Sequence, residues 1–440
     1  MPTPAGNFRS KDFGVILVTS ALFRVFYYWH LHVSVFGDTS SYIHAKVNLF
    51  KGEVDPFRTP VYPWLLRLIA FLGPTRDFVH DVFIIQALLS FASIYFFYRT
   101  AGHLLETRTW IVAATLLYGI SPTLANFDMC VLTESISIDA MVFFVFLITD
   151  YLRRPTRGRA FGITLFVFFL VFLRPGFIYL VGVMALFWIA RIFFSRDGFR
   201  LASGGLLALA LGVLLIIGYK QANHRVNGVN AISAISNLNQ LELVAAYGIY
   251  PLGGDSALTA IIRDDLQDTT HFFLAVLQRS VRNAHIPPER IDRFINNSIS
   301  AAPGIFIKKT LARGWTMQFE PVAVIYAQQS DQYSRLANFG MRLDPLNFFC
   351  VSIFLSLTAL GFVVTFIRAR AIPWFPVLLW AIATSHYIVI FLGARYDHQR
   401  LFVIALPLLI LLFFYWISTI VPHLAPSRPQ LPEPPRPRNP

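Results

Sequence analysis

The sequence predicts an all-α membrane protein that crosses the bilayer about ten times. Hydrophobic residues make up 55% of the 440 positions and charged residues only 14%, which is far more apolar than a soluble domain of this length. Apolar runs of about 18–22 residues recur, and each can cross a hydrocarbon core of about 30 Å as a helix. Runs such as 136–152 and 401–421 have no polar face, which argues against a soluble helical protein.

Ten spans can be placed on these runs in chain order. They are 13–35, 79–98, 109–127, 136–152, 160–173, 176–194, 201–219, 346–367, 373–392 and 401–421. The segment 62–73 is apolar but too short to cross, so we expect it to lie in the outer interface.

Basic residues between the spans predict the orientation. They are concentrated in alternate short segments, for example 153–159 and 368–370, and acids are few there. With both termini in the cytoplasm, every short loop satisfies the positive-inside rule. The net charge of +13 belongs to this pattern, and a nucleic-acid-binding stripe is not indicated. We expect an integral protein of a bacterial inner membrane rather than of the endoplasmic reticulum.

The spans divide the chain into four predicted regions. Residues 1–219 form an N-terminal membrane region whose first external loop is 36–78, and 220–345 form an external insertion. Residues 346–421 form a C-terminal membrane region, and the Pro-rich tail 422–440 is expected to be disordered and cytoplasmic.

Two smaller features are also predicted. A helix should open at Pro287-Pro288 within the insertion. The two cysteines, Cys130 and Cys350, are better interpreted as two buried thiols than as one disulfide.

Acidic residues collect on the predicted outer side of the membrane, where ionisable groups usually line a site or an aqueous path. Asp38 follows the first span, and it is either a catalytic acid or an N-cap residue of the next helix. Glu134 is either a second catalytic acid or a first-turn acid of the fourth span, capped by Thr133. Asp128 is expected to be a solvated turn residue. Arg24 lies inside the first span and needs a partner, which the sequence does not identify.

Basic and aromatic residues lie on the same predicted side and are candidates for binding a substrate anion. They are Arg58, Tyr62, Arg174, Arg395, Tyr396, His398 and Arg400. Arginine suits phosphate because it offers two charge-assisted hydrogen bonds in a fixed fork. The alternative for the arginines is interfacial anchoring or snorkelling.

The order of these motifs resembles that of GT-C glycosyltransferases. The family places an Asp in the first external loop, as in Asp38–Tyr42, and follows it with Arg-x-Pro-x-Tyr-Pro, as in 58–63. Thr133–Ser135, Arg174-Pro175 and Arg395-Tyr396 match three further family motifs. The similarity covers about 13–200 and 346–421, and it is greatest to the protein mannosyltransferases and aminoarabinose transferases.

The resemblance implies an inverting transfer of a sugar from a polyprenyl-phosphate donor to an acceptor on the external face. Asp38 would be the general base and the arginines would stabilise the leaving phosphate. Protein mannosyltransferases carry a second acid where this chain has Thr39, so a second acid, if one is needed, would be supplied by Glu134 or is absent.

The resemblance also bears on cofactors and partners. No cofactor is required, and a divalent metal is used by some relatives but is not indicated by these residues. The acceptor, a lipid, glycan or protein, is not identified. A transporter or flippase of a lipid-linked sugar is the alternative function, and a non-catalytic membrane scaffold is the plainest one.

Overall fold

The structure is a computed structural model that describes most of the chain. The described residues are 10–30, 33–48, 51–73, 75, 77–195, 197–267, 286–317, 351–369, 373–393 and 398–420. Within them the chain is α-helical, and its extended contacts are limited to two isolated bridges, Ser34 with Cys130 and Asn48 with Glu53.

In the described part of the chain, ten helices begin before the insertion. They are α1 (Ser10–Trp29), α2 (Gly37–Ile43), α3 (Val61–Leu72), α4 (Phe78–Leu104), α5 (Arg108–Gly119), α6 (Pro122–Asp128), α7 (Thr133–Arg153), α8 (Arg157–Leu173), α9 (Tyr179–Phe194) and α10 (Gly198–Asn227). A short 3-10 turn, Pro175–Ile178, joins α8 to α9.

Eight further helices follow among the described residues. Those of the insertion are α11 (Ile235–Ala246), α12 (Ser256–Gln267), α13 (Pro288–Ala301) and α14 (Pro303–Met317). Those of the C-terminal part are α15 (Val351–Ala369), α16 (Trp374–Gly393), α17 (His398–Phe402) and α18 (Leu406–Tyr415).

Six helical segments in the described part are long and apolar enough to cross a membrane, and a bent pair makes a seventh if it is one span. The predicted number of about ten is therefore not confirmed. Helix α8 has only 17 residues, and α1 carries Asp12 and Arg24 within its 20 residues. The predicted third span is broken at Pro122, where α5 and α6 are bent by 45°, because proline cannot continue the preceding helix.

The spanning helices form one hydrophobic bundle in which α8 packs on α10, α4 on α7 and α1 on α5. Close approach depends on small residues of α10. A Cβ atom added at Gly212 would overlap the Phe168 ring of α8, and one at Gly205 would overlap Trp188 of α9. Leucines on the opposite side of α10, such as Leu207 and Leu214, are exposed, as expected for a surface that faces lipid.

A buried ion pair between Arg24 and Asp128 fixes the end of α6 to α1. The side chain of Arg24 is fully buried, and its Nη1 lies 3.0 Å from Oδ2 of Asp128. The same oxygen accepts the Tyr28 hydroxyl at 2.5 Å, and Oδ1 accepts the Ser135 hydroxyl at 2.8 Å. The expectation that Asp128 is a solvated turn residue is therefore wrong. Helix α1 lies against the α6–α7 turn, so Asp128 is the partner that Arg24 needed.

The insertion has a small hydrophobic core of its own. Residues of α11, α12 and α13, including Leu241, Leu258 and Phe294, are buried together. Helix α13 begins at Pro288 after Pro287, which confirms the predicted start. The residues Asn296-Asn297-Ser298 of α13 match the pattern of an N-glycosylation acceptor, but the Ser298 hydroxyl is fully buried and donates to the Phe294 carbonyl, so the pattern is unsuited to modification.

The last residue of α10 and the segment that follows this helix make hydrogen bonds to the loop that precedes α3. The Asn227 side-chain amide donates to the Val54 carbonyl at 2.7 Å, and the Ser233 hydroxyl donates to the Phe57 carbonyl at 2.6 Å. Cys130 is a buried free thiol, whereas Cys350 lies outside the described residues.

Candidate active site at one end of the bundle

Five charged residues from separate parts of the chain meet at one end of the bundle. They are Asp38 in the first turn of α2, Arg58 in the loop before α3, Glu134 in the first turn of α7, Arg174 at the end of α8 and Arg400 in α17. All five were candidates from the sequence, and two carboxylates and three guanidinium groups form one cluster.

Arg58 is held by contacts that do not depend on its acid partner. Its Nε donates to the Ser41 hydroxyl at 2.8 Å, and its guanidinium lies over the Tyr42 ring, 4.0 Å from the centroid. One carboxylate oxygen of Asp55 accepts the backbone N–H groups of Phe57 and Arg58 at 2.9 and 2.8 Å. Such a turn, built on an Asp side chain, fixes the direction in which Arg58 leaves the backbone.

Asp38 lies between two arginines. Its Oδ1 accepts a hydrogen bond from Nη2 of Arg58 at 2.6 Å, and its Oδ2 accepts one from Nη2 of Arg400 at 3.4 Å. The Asp38 side chain remains 40% exposed, against 10% for Arg58 and 17% for Arg400. The Asp38 side chain is therefore more exposed to solvent than either of the two arginines that it contacts.

Asp38 is not the N-cap residue of α2. The N-cap is Phe36, and its backbone N–H donates to the Thr39 hydroxyl at 3.0 Å. That hydroxyl also donates to the Val131 carbonyl at 2.8 Å. Because the Thr39 hydroxyl makes the capping hydrogen bond, the carboxylate of Asp38 is available to accept hydrogen bonds from the arginines.

Glu134 is the enclosed acid of the cluster. Its side chain is only 2% exposed, and its Oε1 lies 3.4 Å from Nη1 of Arg174 and 3.2 Å from Nε of Arg400. The N-cap of α7 is Leu132, so Thr133 does not cap the helix. Instead the Thr133 hydroxyl donates to Oε2 of Glu134 at 3.3 Å. Glu134 thus holds two arginines in place and has almost no access to solvent.

Arg400 connects the two acids, since it contacts Glu134 through Nε and Asp38 through Nη2. This contact joins the C-terminal part of the chain to the first loop, across 362 residues of sequence. The site therefore needs both halves of the bundle.

The electrostatic balance keeps Asp38 ionised. Burial alone raises the pKa of the Asp38 carboxyl group, but the positive charges of Arg58 and Arg400 outweigh that effect and hold its pKa below the ordinary value of 3.8. The carboxylate can accept a proton at neutral pH, although its two ion pairs make it a weak base in this arrangement.

Tyr62 supports the cluster from within the core. It is fully buried, its hydroxyl donates to Gln86 Oε1 at 3.3 Å, and its ring meets the edge of Tyr42 with centroids 5.0 Å apart. Arg395 and Tyr396 lie outside the described residues, as does the side chain of His398.

Two contributors were not found from the sequence. The first is Asp55, which orients Arg58 as described above. An Asp whose side chain accepts hydrogen bonds from the backbone N–H groups two and three residues further on is a recognisable turn signal. His386 of α16 is buried, and its Nε2 lies 3.1 Å from the Leu401 carbonyl, next to Arg400. An ionisable residue inside an apolar span is itself a signal of function.

The cluster does not offer a metal site. Among the described residues, no group of three His, Cys, Asp or Glu side chains could hold a metal ion. Asp38 and Glu134 are already engaged by arginines, whose positive charges would repel a divalent cation.

Comparisons with known proteins identify the fold. No protein-family model matches the sequence, and a search of curated proteins found no relative. Among solved structures, the apo oligosaccharyltransferase of Archaeoglobus fulgidus matches over 95% of this chain with a TM-score of 0.50 and 12% identity. The archaeal oligosaccharyltransferase AglB from Archaeoglobus fulgidus, in complex with an inhibitory peptide and a dolichol-phosphate, matches over 91% of this chain with a TM-score of 0.49 and 12% identity.

The chain spans about half the length of these structures, 52% and 50% respectively. Oligosaccharyltransferases have the GT-C fold, so the likeness supports the GT-C fold that the motifs predicted. It does not support a particular GT-C subgroup.

Proposed function

We propose that the protein is an inverting GT-C glycosyltransferase that moves a sugar from a polyprenyl-phosphate donor to an acceptor at the membrane surface. The observation that carries the proposal is the placement of the partly exposed Asp38 carboxylate between two arginines at one end of an apolar bundle. A donor with its prenyl chain in the bilayer would present its phosphate and sugar at that level.

The proposed reaction is a single displacement. Asp38 accepts a proton from the acceptor hydroxyl or amine as that group attacks the anomeric carbon. The new glycosidic bond forms while the bond from the anomeric carbon to the phosphate oxygen breaks, and the lipid phosphate leaves with the electron pair. Attack from the opposite side inverts the configuration, and positive charge develops on the sugar ring as in glycoside hydrolysis.

Arginines would stabilise the leaving phosphate. Arg58 and Arg400 contact the partly exposed Asp38, whereas the acid that Arg174 contacts is the enclosed Glu134. Cationic groups that are already fixed lower the cost of negative charge that develops on the leaving group. We assign Glu134 to holding Arg174 and Arg400, because its carboxylate is too enclosed to reach an acceptor.

We also propose that both termini are cytoplasmic, that the site faces the external side of a bacterial inner membrane, and that the insertion 220–345 covers part of it. A cysteine introduced at exposed Glu53 in the first loop tests the sidedness. It should react with a membrane-impermeant maleimide in intact spheroplasts, and labelling only after permeabilisation would reverse the orientation.

The experiment that tests the function is a transfer assay in proteoliposomes. The purified chain receives a synthetic polyprenyl-phosphate sugar and a mixture of lipid, glycan and peptide acceptors, and products are identified by mass spectrometry. Wild type should form a glycosylated product with inverted configuration, and Asp38→Asn should lose transfer by about a hundredfold or more. Glu53→Gln, an acid of the same loop outside the cluster, serves as the control.

A transporter or flippase of a lipid-linked sugar is the second candidate. The bent α5–α6 pair and the polar Arg24–Asp128 contact inside the bundle favour it, since transporters use broken helices and polar groups within the membrane. Movement of a fluorescent lipid-linked sugar across the bilayer without any glycosylated product would support that function and overturn the enzyme.

A further inference from the structure

The contacts of Asp38 define a phosphate subsite that the protein fills with its own carboxylate. Asp38 accepts hydrogen bonds from Nη2 of Arg58 and Nη2 of Arg400. These two groups are also the ones that would receive a donor phosphate. A carboxylate and a phosphate make the same charge-assisted hydrogen bonds to arginine, so both cannot hold the same N–H groups at full strength.

Each arginine keeps its position without Asp38. Arg58 is fixed by the Ser41 hydroxyl, by the Tyr42 ring and by the turn at Asp55. Arg400 is fixed by Glu134, which is itself buried. Two binding groups that are held independently of their present partner form a preorganised site for another anion.

Asp38 is the member of the cluster that can be replaced. Its side chain is more exposed than those of Arg58 and Arg400, and its contact to Arg400 is long, at 3.4 Å. Its carboxylate faces Arg58 from the loop before α3 and Arg400 from α17. Beyond these lie Tyr42, under Arg58, and Glu134, behind Arg400.

We propose that the lipid phosphate of the donor takes the place of the Asp38 carboxylate on Arg58 and Arg400, and that this exchange releases Asp38 to act as the base. The proposal rests on the proposed function. In the resting protein the base is held by the phosphate subsite, and it becomes available only when a donor is bound. A sugar donor would thereby activate its own reaction.

Binding of farnesyl phosphate in detergent tests the exchange. Wild type, Asp38→Asn and the Glu53→Gln control are compared by microscale thermophoresis or calorimetry, with farnesol and inorganic phosphate as further probes. If Asp38 competes for the subsite, its removal should tighten farnesyl phosphate binding by at least about fivefold, because a competitor lowers apparent affinity by the fraction of sites it occupies. Farnesol binding and the Glu53→Gln protein should not change.

The probes also separate lipid phosphate from free phosphate. Tighter binding of inorganic phosphate alone by Asp38→Asn would show an anion site without specificity for a lipid donor, and it would overturn the assignment to a lipid phosphate. Equal or weaker binding of farnesyl phosphate by Asp38→Asn would overturn the exchange itself. Asp38→Ser, which also removes the charge, takes its place if Asp38→Asn does not fold.

A second measurement uses the unmodified protein. In the pH–rate profiles, kcat/KM reports the free enzyme and kcat reports the donor complex. If phosphate displaces Asp38 from its arginines, the acidic limb of kcat lies at higher pH than that of kcat/KM, and coincident limbs would contradict the exchange. If Asp38→Asn loses transfer without any change in farnesyl phosphate affinity, the exchange fails while the proposed function stands. If no transfer is seen in any assay, the proposed function fails.

Discussion

Arg400 gives one guanidinium group to two carboxylates, and this geometry depends on the shape of arginine. Its Nε contacts Glu134 and its Nη2 contacts Asp38. A lysine ammonium is a single compact charge and cannot keep both contacts in the same orientation. The residue is therefore a test of whether the cluster binds phosphate or merely anchors the chain at the interface.

Substitution of Arg400 should separate these roles. Arg400→Ala is expected to lower turnover by about a hundredfold, the size of effect seen when one transition-state donor is removed, and Arg400→Lys should restore only part of it. Full recovery by Lys would mean an anchoring role, because lysine snorkels as well as arginine. Steady-state kinetics with the donor at saturation measure the difference.

Removal of the Glu134 charge should destabilise the protein more than it affects the chemistry. The carboxylate is enclosed, so Glu134→Ala leaves Arg174 without its acid and Arg400 with Asp38 alone, at a cost of no more than about 3 kcal/mol since both arginines are partly open to solvent. Thermal unfolding in detergent should show a lower midpoint for Glu134→Ala and a smaller decrease for Glu134→Gln. Wild-type stability with complete loss of transfer would instead indicate a direct chemical role for Glu134.

The pH dependence of kcat/KM should follow the lowered pKa of Asp38. A lowered pKa in the folded protein means that the charged form is favoured above the ordinary pKa and is lost only as the pH falls through the lower folded value. We therefore expect no acidic limb between about pH 7 and pH 5, because the ordinary value for Asp is about 3.9. Arg400→Ala removes one positive charge and should move the limb to higher pH. A wild-type limb above pH 5 would contradict this assignment of the base.

At the scale of single elements, helix α1 determines where the α6–α7 turn lies. Arg24 on α1 binds Asp128 at the end of α6 and also donates through Nε to the Gly119 carbonyl at the end of α5, at 2.8 Å. The Ser135 hydroxyl then links Asp128 to the first turn of α7, which carries Glu134. The position of the enclosed acid thus depends on a pair of charges that is itself buried.

Breaking this pair should be costly. Arg24→Ala leaves the Asp128 carboxylate buried with one partner fewer, and we expect a loss of about 3–5 kcal/mol in the free energy of unfolding. The double variant Arg24→Met with Asp128→Asn should lose less than the sum of the single variants, because neither charge is then left alone. Arg159→Ala, which breaks a partly exposed pair with Asp150, is the matched control and should cost no more than about 1 kcal/mol.

Much of the helical organisation could be predicted from the sequence, because apolar runs of membrane length determine helices directly. The helices behind the spans 136–152 and 373–392 begin and end within three residues of the prediction, and the helix behind 201–219 continues to Asn227, eight residues beyond the predicted end. The breaks are harder to predict: Pro122 divides one run, and the last predicted span is divided into α17 and α18 by a short 3-10 segment. Neither break changes the hydropathy of its run.

The charged site was predicted in composition but not in its pairings. Each acid and arginine could be assigned to one side of the membrane from the loops, which brought Asp38, Arg58 and Glu134 into the same region. Which arginine meets which acid depends on helix packing, and sequence spacing does not report it. Asp128 was misjudged for the same reason: its partner on α1 is 104 residues away.

At the scale of the whole molecule, the insertion and the first loop are tied together beside the site. The Ala234 N–H donates to the Pro56 carbonyl at 2.8 Å, in addition to the hydrogen bonds from Asn227 and Ser233. These contacts reach the same loop that directs Arg58. These contacts therefore support the loop that carries the candidate phosphate-binding residue.

Weakening this connection should affect donor binding more than turnover. Asn227→Ala with Ser233→Ala removes two side-chain hydrogen bonds to the loop and should raise KM for the donor several-fold, with kcat changed less. Ser256→Ala, at an exposed serine of α12, provides the control. An equal loss in kcat and no change in KM would show that the loop does not position the donor.

Helix α10 has a mechanical consequence for how the site could open. Its 30 residues make a rod about 45 Å long at 1.5 Å per residue, and about 30 Å suffices to cross the hydrocarbon core. Helix α10 is therefore about three turns longer than a span requires, and it continues without a break as far as Asn227. Since the Asn227 end of this helix donates to the Val54 carbonyl of the loop before α3, moving that end away from the loop would require the helix to bend or this hydrogen bond to break.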